Sequence, residues 1–445
     1  MLRLYEDQRD LIERTATKMR RGHKSVLLQA PTGSGKSIMA TELIRRSSLK
    51  NKTSWFIVPR RELLRQMSAT FRDFELPHSF IAAGSKHFPG MNNYVCSLDT
   101  LRRRLDKLQA PDLAIIDETH YGGAGLDALI KWLQARGSFI IGLTATPYRM
   151  DGKGLGMWYS DMTVAPSIRE YIDMERLSDY ELYQPDIPEL KGVKTQGGDF
   201  AQGQLGQSMM NDKKLTGNSV AHYKKYAYGY RCIAYCASIK HSELVARKFR
   251  EAGVPAAHID GQTPDAERKR IISDFADRKL LVLTNSNLLT FGFDLASQVG
   301  KEVTVEAISD LKPTKSIALQ MQKWGRALRY KDFPALIFDH AGNFTRHGLP
   351  CQEREWYLED DEKREGQAQS EQTVAATQCP ECYFCHTPQP VCPSCGHEYG
   401  GGGAVYDETE DELQKVDHKP DPMYRKRRIG KARTWQDLVE IEKEF

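Results

Sequence analysis

The string Gly33-Ser34-Gly35-Lys36-Ser37 sits between an apolar run at Lys24–Gln29 and a helical pattern at Ile38–Ser47. In that context it reads as a phosphate-binding loop. Glycines let backbone N–H groups turn inward around phosphate oxygens, and the start of a helix adds partial positive charge. Lys36 would reach the β- and γ-phosphates of a nucleoside triphosphate. The Ser37 hydroxyl would ligate Mg2+, and Thr32, Gly33, Ser34 and Gly35 would wrap the phosphates. A second group of residues fits the same chemistry. Leu113–Ile116 reads as a strand ending in Asp117-Glu118, which puts two carboxylates at the C-terminal edge of a sheet, where ligands of open α/β sheets sit. Asp117 would hold the Mg2+ shell, and Glu118 would orient and deprotonate an attacking water. A solvated acidic loop would leave the apolar run before it unexplained. A guanine-reading Asn-Lys-x-Asp is missing, since its nearest match, Asn51-Lys52-Thr53-Ser54, lacks the Asp.

Such loops need a sheet to hold them. Lys24–Gln29, Thr53–Val58, Tyr94–Ser97, Leu113–Ile116 and Phe139–Leu143 read as buried strands of one parallel sheet, with Ile38–Ser47 and Arg61–Phe74 as helices between them. A second series repeats the alternation at Arg231–Cys236, Ala256–Ile259, Leu280–Thr284, Val303–Ile308 and Ala335–Phe338. The expected class is therefore α/β, with two parallel-sheet domains in tandem. The expected divisions are a first domain at 1–150, a Gly-, Pro- and Gln-richer connection at 151–214 and a second domain at 215–347. An acidic linker or exposed helix at 348–375, a cysteine module at 376–400 and a charged tail at 401–445 follow.

A chain of 445 residues with 40% apolar content is too long for one core and too apolar to be mostly disordered. The formal charge of +4 gives no whole-molecule basic footprint, so a nucleic-acid grip would have to be local. The charged start Met1–Asp10 and the lack of any apolar run of ~18–20 residues lead us to expect a soluble, cytoplasmic protein with no membrane partner. Reduced thiols are then expected among the nine cysteines. Cys379-x-x-Cys382 and Cys392-x-x-Cys395 have the spacing of a tetrahedral Zn2+ site, with Cys385, His386 and His397 as spare ligands. A redox Cys-x-x-Cys and free thiols in a tail are the rivals. Four thiolates leave no open position, so the zinc would be structural and would supply folding energy to a segment too small for its own core.

Further blocks, in order and spacing, resemble the superfamily 2 helicases of DExH type, relatives of the DEAD- and DEAH-box proteins, in their phage and bacterial form. The resemblance spans roughly Leu2–His347 and adds these blocks to the loop and to the DETH box at Asp117–His120. Gln8, in LYEDQRDLI, sits where the family places an adenine-reading glutamine, although Glu6-Asp7 break the usual Tyr-Gln adjacency. VPRRELLRQ at Val58–Gln66 and SLDTLRRR at Ser97–Arg104 look like strand-gripping motifs. GLTATPYR at Gly142–Arg149 looks like the motif linking hydrolysis to domain movement, with Thr144, Thr146 and His120 as coupling residues. Cys232–Phe249 and His258–Ile272 resemble the fourth motif region, Asn287–Leu295 the fifth and QKWGRALR at Gln322–Arg329 the sixth.

The resemblance implies two RecA-like domains and a zinc-ribbon-like C-terminal module. It also implies an ATP site completed by Arg326 and Arg329, which, three apart on a helix, would project from one face. Gln322 and Gly292 would line the nucleotide, and Asp294 would touch the ribose or hold Arg326. Arg60, Arg61, Arg102, Arg103 and Arg104, with hydroxyls of Ser97, Thr100, Ser238 and Thr290, would contact phosphates without reading bases. The implied enzyme is a nucleic-acid-stimulated ATPase, an ATP-dependent DNA helicase or translocase using ATP, Mg2+ and a structural Zn2+. DNA is favoured over RNA, and a replication, recombination or defence protein is the expected class of partner for the C-terminal module. Because no wedge or pin is recognisable, a double-strand translocase or branch-remodelling ATPase without strand separation stays open. An RNA helicase and a nucleotide-gated adaptor also stay open.

Overall fold

A computed structural model describes residues 4–149, 153–185, 187–289, 295–359 and 376–399. Continuous apolar runs form two all-parallel sheets, as expected where helices cover both faces. The first contains β1 (Ser25–Gln29), β2 (Ser54–Val58), β3 (Ser79–Ile81), β4 (Asn93–Ser97), β5 (Leu113–Ile116), β6 (Phe139–Thr144) and β7 (Asp161–Val164), in the order β3-β4-β2-β5-β6-β1-β7. Its helices are α1 (Glu6–Arg20), α2 (Lys36–Ser48), α3 (Glu62–Asp73), α4 (Leu98–Arg102) and α5 (Ala124–Ala135). After α6 (Ile168–Asp173) the second sheet starts with β8 (Tyr180–Tyr183). A hairpin of β9 (Thr195–Gln196) and β10 (Asp199–Phe200) and helices α7 (Gln202–Asn211) and α8 (Lys213–Tyr226) come before its other strands. These are β11 (Cys232–Cys236), β12 (Ala256–His258), β13 (Val282–Asn285), β14 (Ala307–Leu311) and β15 (Ala335–Asp339), in the order β12-β13-β11-β14-β15-β8. They alternate with α9 (Ile239–Glu251), α10 (Asp265–Ala276), α11 (Leu295–Val299), α12 (Ile317–Ala327) and α13 (Asn343–His347).

The tandem α/β class is as expected, and the structure corrects three details. The stretch expected as a connection gives an edge strand to each sheet: β7 pairs with β1, and β8 pairs with β15. Both strands are four residues long and only partly apolar, so no apolar run marks them. The strand expected at Val303–Ile308 lies at Ala307–Leu311, because the ladder opposite β11 begins at Ala307 although Val303 and Val305 are already buried. In the expected acidic linker or helix, the described residues up to 359 form no helix. They run back over the first domain, where Gly156 N donates to Leu358 O at 2.6 Å and Trp356 meets the Tyr148 ring at 6.0 Å. A Cβ at Gly154 would lie 2.3 Å from Leu358 O, so this crossing requires glycine. Arg354 fixes the turn before it by donating to the carbonyls of His347, Leu349, Pro350 and Gln352. The rest of that linker and the tail from 400 lie outside the described residues. Among the described residues no helix is long and apolar enough to cross a membrane.

One buried and one half-buried histidine set a pH dependence. His241 on α9 and His347 at the end of α13 are both held down to about 4 by burial. Each is neutral in the fold but titrates near its ordinary value of ~6.5 in the unfolded chain. Their stability contribution is therefore complete above pH ~6.5 and lost as pH falls toward about 4. Unfolding free energies measured by denaturant titration across this window are expected to fall more steeply for the native chain than for a His241→Gln/His347→Gln variant, by at most about 3 kcal/mol per histidine. Parallel curves would contradict this.

Candidate ATP site, nucleic-acid groove and metal centre

β1 ends at Gln29, and the chain turns through Ala30–Gly35 into α2. Gly35 takes φ 87°, and a Cβ there would lie 2.3 Å from Gln8 Nε2. Gln8, buried on α1, donates Nε2 to Ser34 O at 3.0 Å, while its Oε1 accepts from Tyr5 N at 3.1 Å. Lys36 Nζ donates to Ala30 O at 2.8 Å and Pro31 O at 3.1 Å. Burial lowers its pKa, against the pull of Glu118 and Asp117.

β5 delivers the two carboxylates. Glu118 has the left-handed backbone φ 46°, ψ 47°, a conformation costing roughly 1 kcal/mol or more in a non-glycine residue, and its N–H donates to Asp117 Oδ1 at 3.0 Å. Asp117 is pushed up to about 7, first by its withdrawal from water and then by Glu118, with Lys36 opposing. His120 Nδ1 lies 3.3 Å from Glu118 and 3.0 Å from Thr144 Oγ1. The Thr144 hydroxyl donates to Thr146 O at 2.6 Å and accepts from Thr146 N at 3.0 Å. Its single proton is thereby used, so His120 must be the donor through Nδ1–H. Burial lowers the pKa of His120, which favours this neutral tautomer. A continuous chain of contacts thus joins Glu118 to the Thr144–Thr146 turn.

The second domain closes over this site with α12. Gln322 Nε2 lies 3.2 Å from both Glu118 oxygens, and Thr32 Oγ1 lies 3.4 Å from Gln322 Oε1. A Cβ at Gly325 would sit 2.4 Å from Thr32 Cβ, so the helix backbone rests directly on the phosphate loop. Arg326, one turn beyond Gln322, is 5% exposed. Arg329 departs from expectation. The helix stops at Ala327, because Ser178 N takes the Leu328 carbonyl at 2.9 Å and Leu177 bridges Arg329 in antiparallel fashion. Arg329 is therefore off the helical face that carries Arg326. Leu177 was missed in the sequence although it packs on Gly33, with Cδ2 2.9 Å from where a Cβ would be. Lys323 was missed too: fully buried, it lies 2.7 and 2.6 Å from the Asp310 oxygens. A lysine within a helix reads as a surface residue, and no signal marked it otherwise. Thr290, Gly292 and Asp294 lie outside the described residues.

The expected strand-gripping residues divide into two groups. Arg61 donates to Ala83 O at 2.6 Å and lines a cavity of about 650 Å3 between the domains, together with Arg65, Lys86 and Arg268. Arg102, Arg103 and Arg104 are exposed. Arg60 Nη2 donates to Tyr121 OH at 3.0 Å. The hydroxyls are engaged or withdrawn. Thr100 Oγ1 accepts from Ala83 N, Ser238 Oγ caps α9 by accepting from His241 N, and Ser97 is buried.

In the cysteine module, β16 (Thr377–Gln378) pairs antiparallel with β17 (Cys385–His386). The Sγ atoms of Cys379, Cys382, Cys392 and Cys395 lie within 4.8 Å of one another, and Cys379–Cys395 and Cys382–Cys392 are each 3.7 Å apart. A tetrahedron of Zn–S bonds of ~2.3 Å has edges of about 3.8 Å, so the thiols fit zinc. The spare ligands stand outside this group. Cys385 is buried against the domain core, and the His386 nitrogens meet Thr387 O and Tyr399 OH. The module is seated on the edge strand of the second sheet. Tyr183 bridges Phe384 with rings 5.3 Å apart, and Gln184 N donates to Tyr383 O at 3.0 Å.

Sequence comparison matches residues 1–149 to a family described as the res subunit of type III restriction enzymes, and residues 217–331 to the helicase conserved C-terminal domain. The chain belongs to the superfamily 2 helicases of DExH type. It is an ATP-dependent enzyme of helicase type. A 51.5 kDa protein of a Lactococcus phage is 31% identical over 84% of this chain and 78% of its own length. The putative ATP-dependent helicase IRC3 of Saccharomyces cerevisiae is 28% identical over 73% of this chain, which spans about half (49%) of that relative. Among solved structures, a fragment of a putative HsdR subunit of a type I restriction enzyme from Vibrio vulnificus superposes with TM-score 0.60 at 18% identity, covering 77% of this chain and 65% of the fragment. The type ISP restriction-modification enzyme LlaBIII bound to DNA superposes with TM-score 0.54 at 16% identity, over 76% of this chain and 27% of that one. At such identities the likeness concerns the fold.

Two outcomes follow from these geometries. Gly325→Ala would push α12 off Thr32 and is expected to lower ATPase turnover by ~10–100-fold while the melting temperature holds. Native turnover would contradict the direct seating. Elemental analysis is expected to find one zinc per chain, lost in Cys392→Ser together with thermal stability. A metal-free protein of undiminished stability would refute the zinc site.

Proposed function

We propose that this enzyme is an ATP-driven DNA translocase that separates strands, its two domains closing and opening around a shared nucleotide site. One observation carries the reading: Gln322 of the second domain is hydrogen-bonded to Glu118 of the first. The residue proposed to activate water is thus held from both sides of the cleft. In this reading the Lys36 ammonium and the N–H groups of Thr32–Ser37 bind the ATP phosphates. Ser37 and Asp117 are the residues that would hold Mg2+, which supplies charge neutralisation when bound. Glu118, oriented by Gln322 and His120, takes a proton from the attacking water. Arg326 brings positive charge to the γ-phosphate from the other domain, an effect of ~10³–10⁵ in rate in related sites. Arg329 is assigned as a second cation beside the loop. Gln8 keeps one amide hydrogen and one lone pair for the adenine edge. The His120–Thr144–Thr146 chain carries the state of Glu118 toward the strand-gripping loops. Phosphates of the strand lie along the cavity lined by Arg61, Arg65, Lys86 and Arg268, with Arg60 and the exposed Arg102 as further phosphate contacts, giving salt-dependent binding without base reading.

DNA is favoured because two solved structures of similar fold are restriction-enzyme chains, one of them bound to DNA. The second reading is translocation along duplex DNA without unwinding, since the sequence carries no recognisable wedge or pin. The zinc module and charged tail are assigned to a protein partner in replication, recombination or defence. ATPase rates with single-stranded DNA, duplex DNA and RNA are expected to rise most with DNA. Arg326→Ala and Glu118→Gln should lower the stimulated rate by ~10²-fold or more. Equal stimulation by RNA would overturn the DNA assignment. Displacement of a triplex strand without opening of a forked duplex would replace unwinding by translocation.

A further inference from the structure

The β9–β10 hairpin lies outside the helicase-like sequence blocks. Its strands are joined by Gly197 and Gly198, with φ 60° and 85°. Two successive positive φ angles make the turn whose twist matches paired strands, and glycine meets that demand best. The hairpin is tied to the Lys312–Ser316 loop of the second domain by residues on both strands, beginning beside the turn. Asp199 Oδ2 accepts from Thr314 Oγ1 at 2.7 Å, Asp199 Oδ1 accepts from Lys315 N at 2.8 Å, and Lys315 Nζ donates to Thr195 Oγ1 at 2.5 Å. Phe200 lies beneath two cations, Lys315 at 5.1 Å and Arg346 at 5.5 Å from its ring centre. The turn itself is exposed at both glycines, and a Cβ at Gly197 would meet no atom within 4 Å. So short an element gains no stability from a core of its own. Anchoring it this firmly while leaving its tip bare is the arrangement of a presenting element.

What the hairpin faces gives its chemistry. With Arg60 and Tyr121 of the first domain and Asn287 and Lys312 of the second, it lines a cavity of about 550 Å3. The Arg60 guanidinium, the Tyr121 phenol and the Asn287 amide suit the oxygens of a sugar–phosphate backbone, while the buried Lys312 ammonium is held by Asn287 Oδ1 and Ser286 O. The carboxylate of Asp199 is already engaged by Thr314 and Lys315, and exposed Lys191 and Lys194 flank the hairpin. A tip without side chains allows another backbone to come close.

We propose that the β9–β10 hairpin is a strand-contacting finger that holds one nucleic-acid strand against Arg60 in the cavity between the domains. The proposal rests on the nucleic-acid reading given above. The finger rides on the second domain and Arg60 on the first, so domain opening widens the aperture and closure narrows it. The test uses the full chain with the photocrosslinking residue benzoylphenylalanine at Gln196, at Lys86 in the basic cavity, or at exposed Lys50 at the far end of α2, each irradiated with a labelled oligothymidylate. Crosslinking from 196 is expected to exceed that from 50 roughly tenfold or more, and to be lost at high salt as phosphate contacts are. Crosslinking from 86 but not from 196 overturns the finger and leaves the nucleic-acid reading standing. Background crosslinking at both sites overturns that reading and the finger with it.

Discussion

The contact on which the structure depends is the seating of α12 on the phosphate loop. The helix can come this close because residue 325 is glycine, whose absent side chain leaves room for Thr32. Gln322 then reaches Glu118, and Arg326, one turn on, is carried into the same cleft. Everything that positions α12 therefore acts on the ATP site. Chief among these is the buried pair Lys323–Asp310. Asp310, at the end of β14, also accepts from Gln320 and Asn343, and Lys323 donates to the Lys312 carbonyl as well. Removing one partner of such a pair would leave an uncompensated buried charge, so helix, strand and Lys312–Ser316 loop are locked as one piece. The proposed finger is fastened to that same loop.

Two further connections cross between the sheets. Leu177 leans on Gly33 of the phosphate loop while its backbone bridges Arg329. It lies three residues before the start of β8, the edge strand on which the cysteine module is seated. The module thus caps an otherwise open sheet edge, which natural sheets seldom leave exposed. Residues up to 359 run the other way, from the second domain back to the first, and place Trp356 beside Tyr148 just beyond the Thr144–Thr146 turn. Closure across the cleft is therefore written into several segments besides the nucleotide site.

Much of this was legible in the sequence because chemistry and periodicity coincide there. The phosphate loop and the Asp117-Glu118 strand end announce themselves by residue type and spacing, and the long buried strands do so by unbroken apolar runs. The four cysteines needed only their spacing, although the structure alone shows that Cys385 and His386 are not part of the group. What escaped depends on three-dimensional pairing. β7 and β8 are too short and too polar to be seen as runs. The end of α12 at Ala327 is set by Leu177 and Ser178, about 150 residues earlier in the chain. Helical periodicity in the sequence continues through Arg329, whereas the bridge to Leu177 takes that arginine off the helical face of Arg326. The hairpin shows in the sequence only as Gly197-Gly198, a turn signal without long strands around it.

The central claim is that the second domain completes the ATP site and leaves it during the cycle. The most direct test is the distance between fluorophores on exposed Leu49 and Tyr228, one in each domain, introduced as unnatural amino acids to spare the cysteines. With a non-hydrolysable ATP analogue and a nucleic-acid strand the account requires one short distance, and with ADP a longer or broader distribution. The same distribution in every nucleotide state would contradict it.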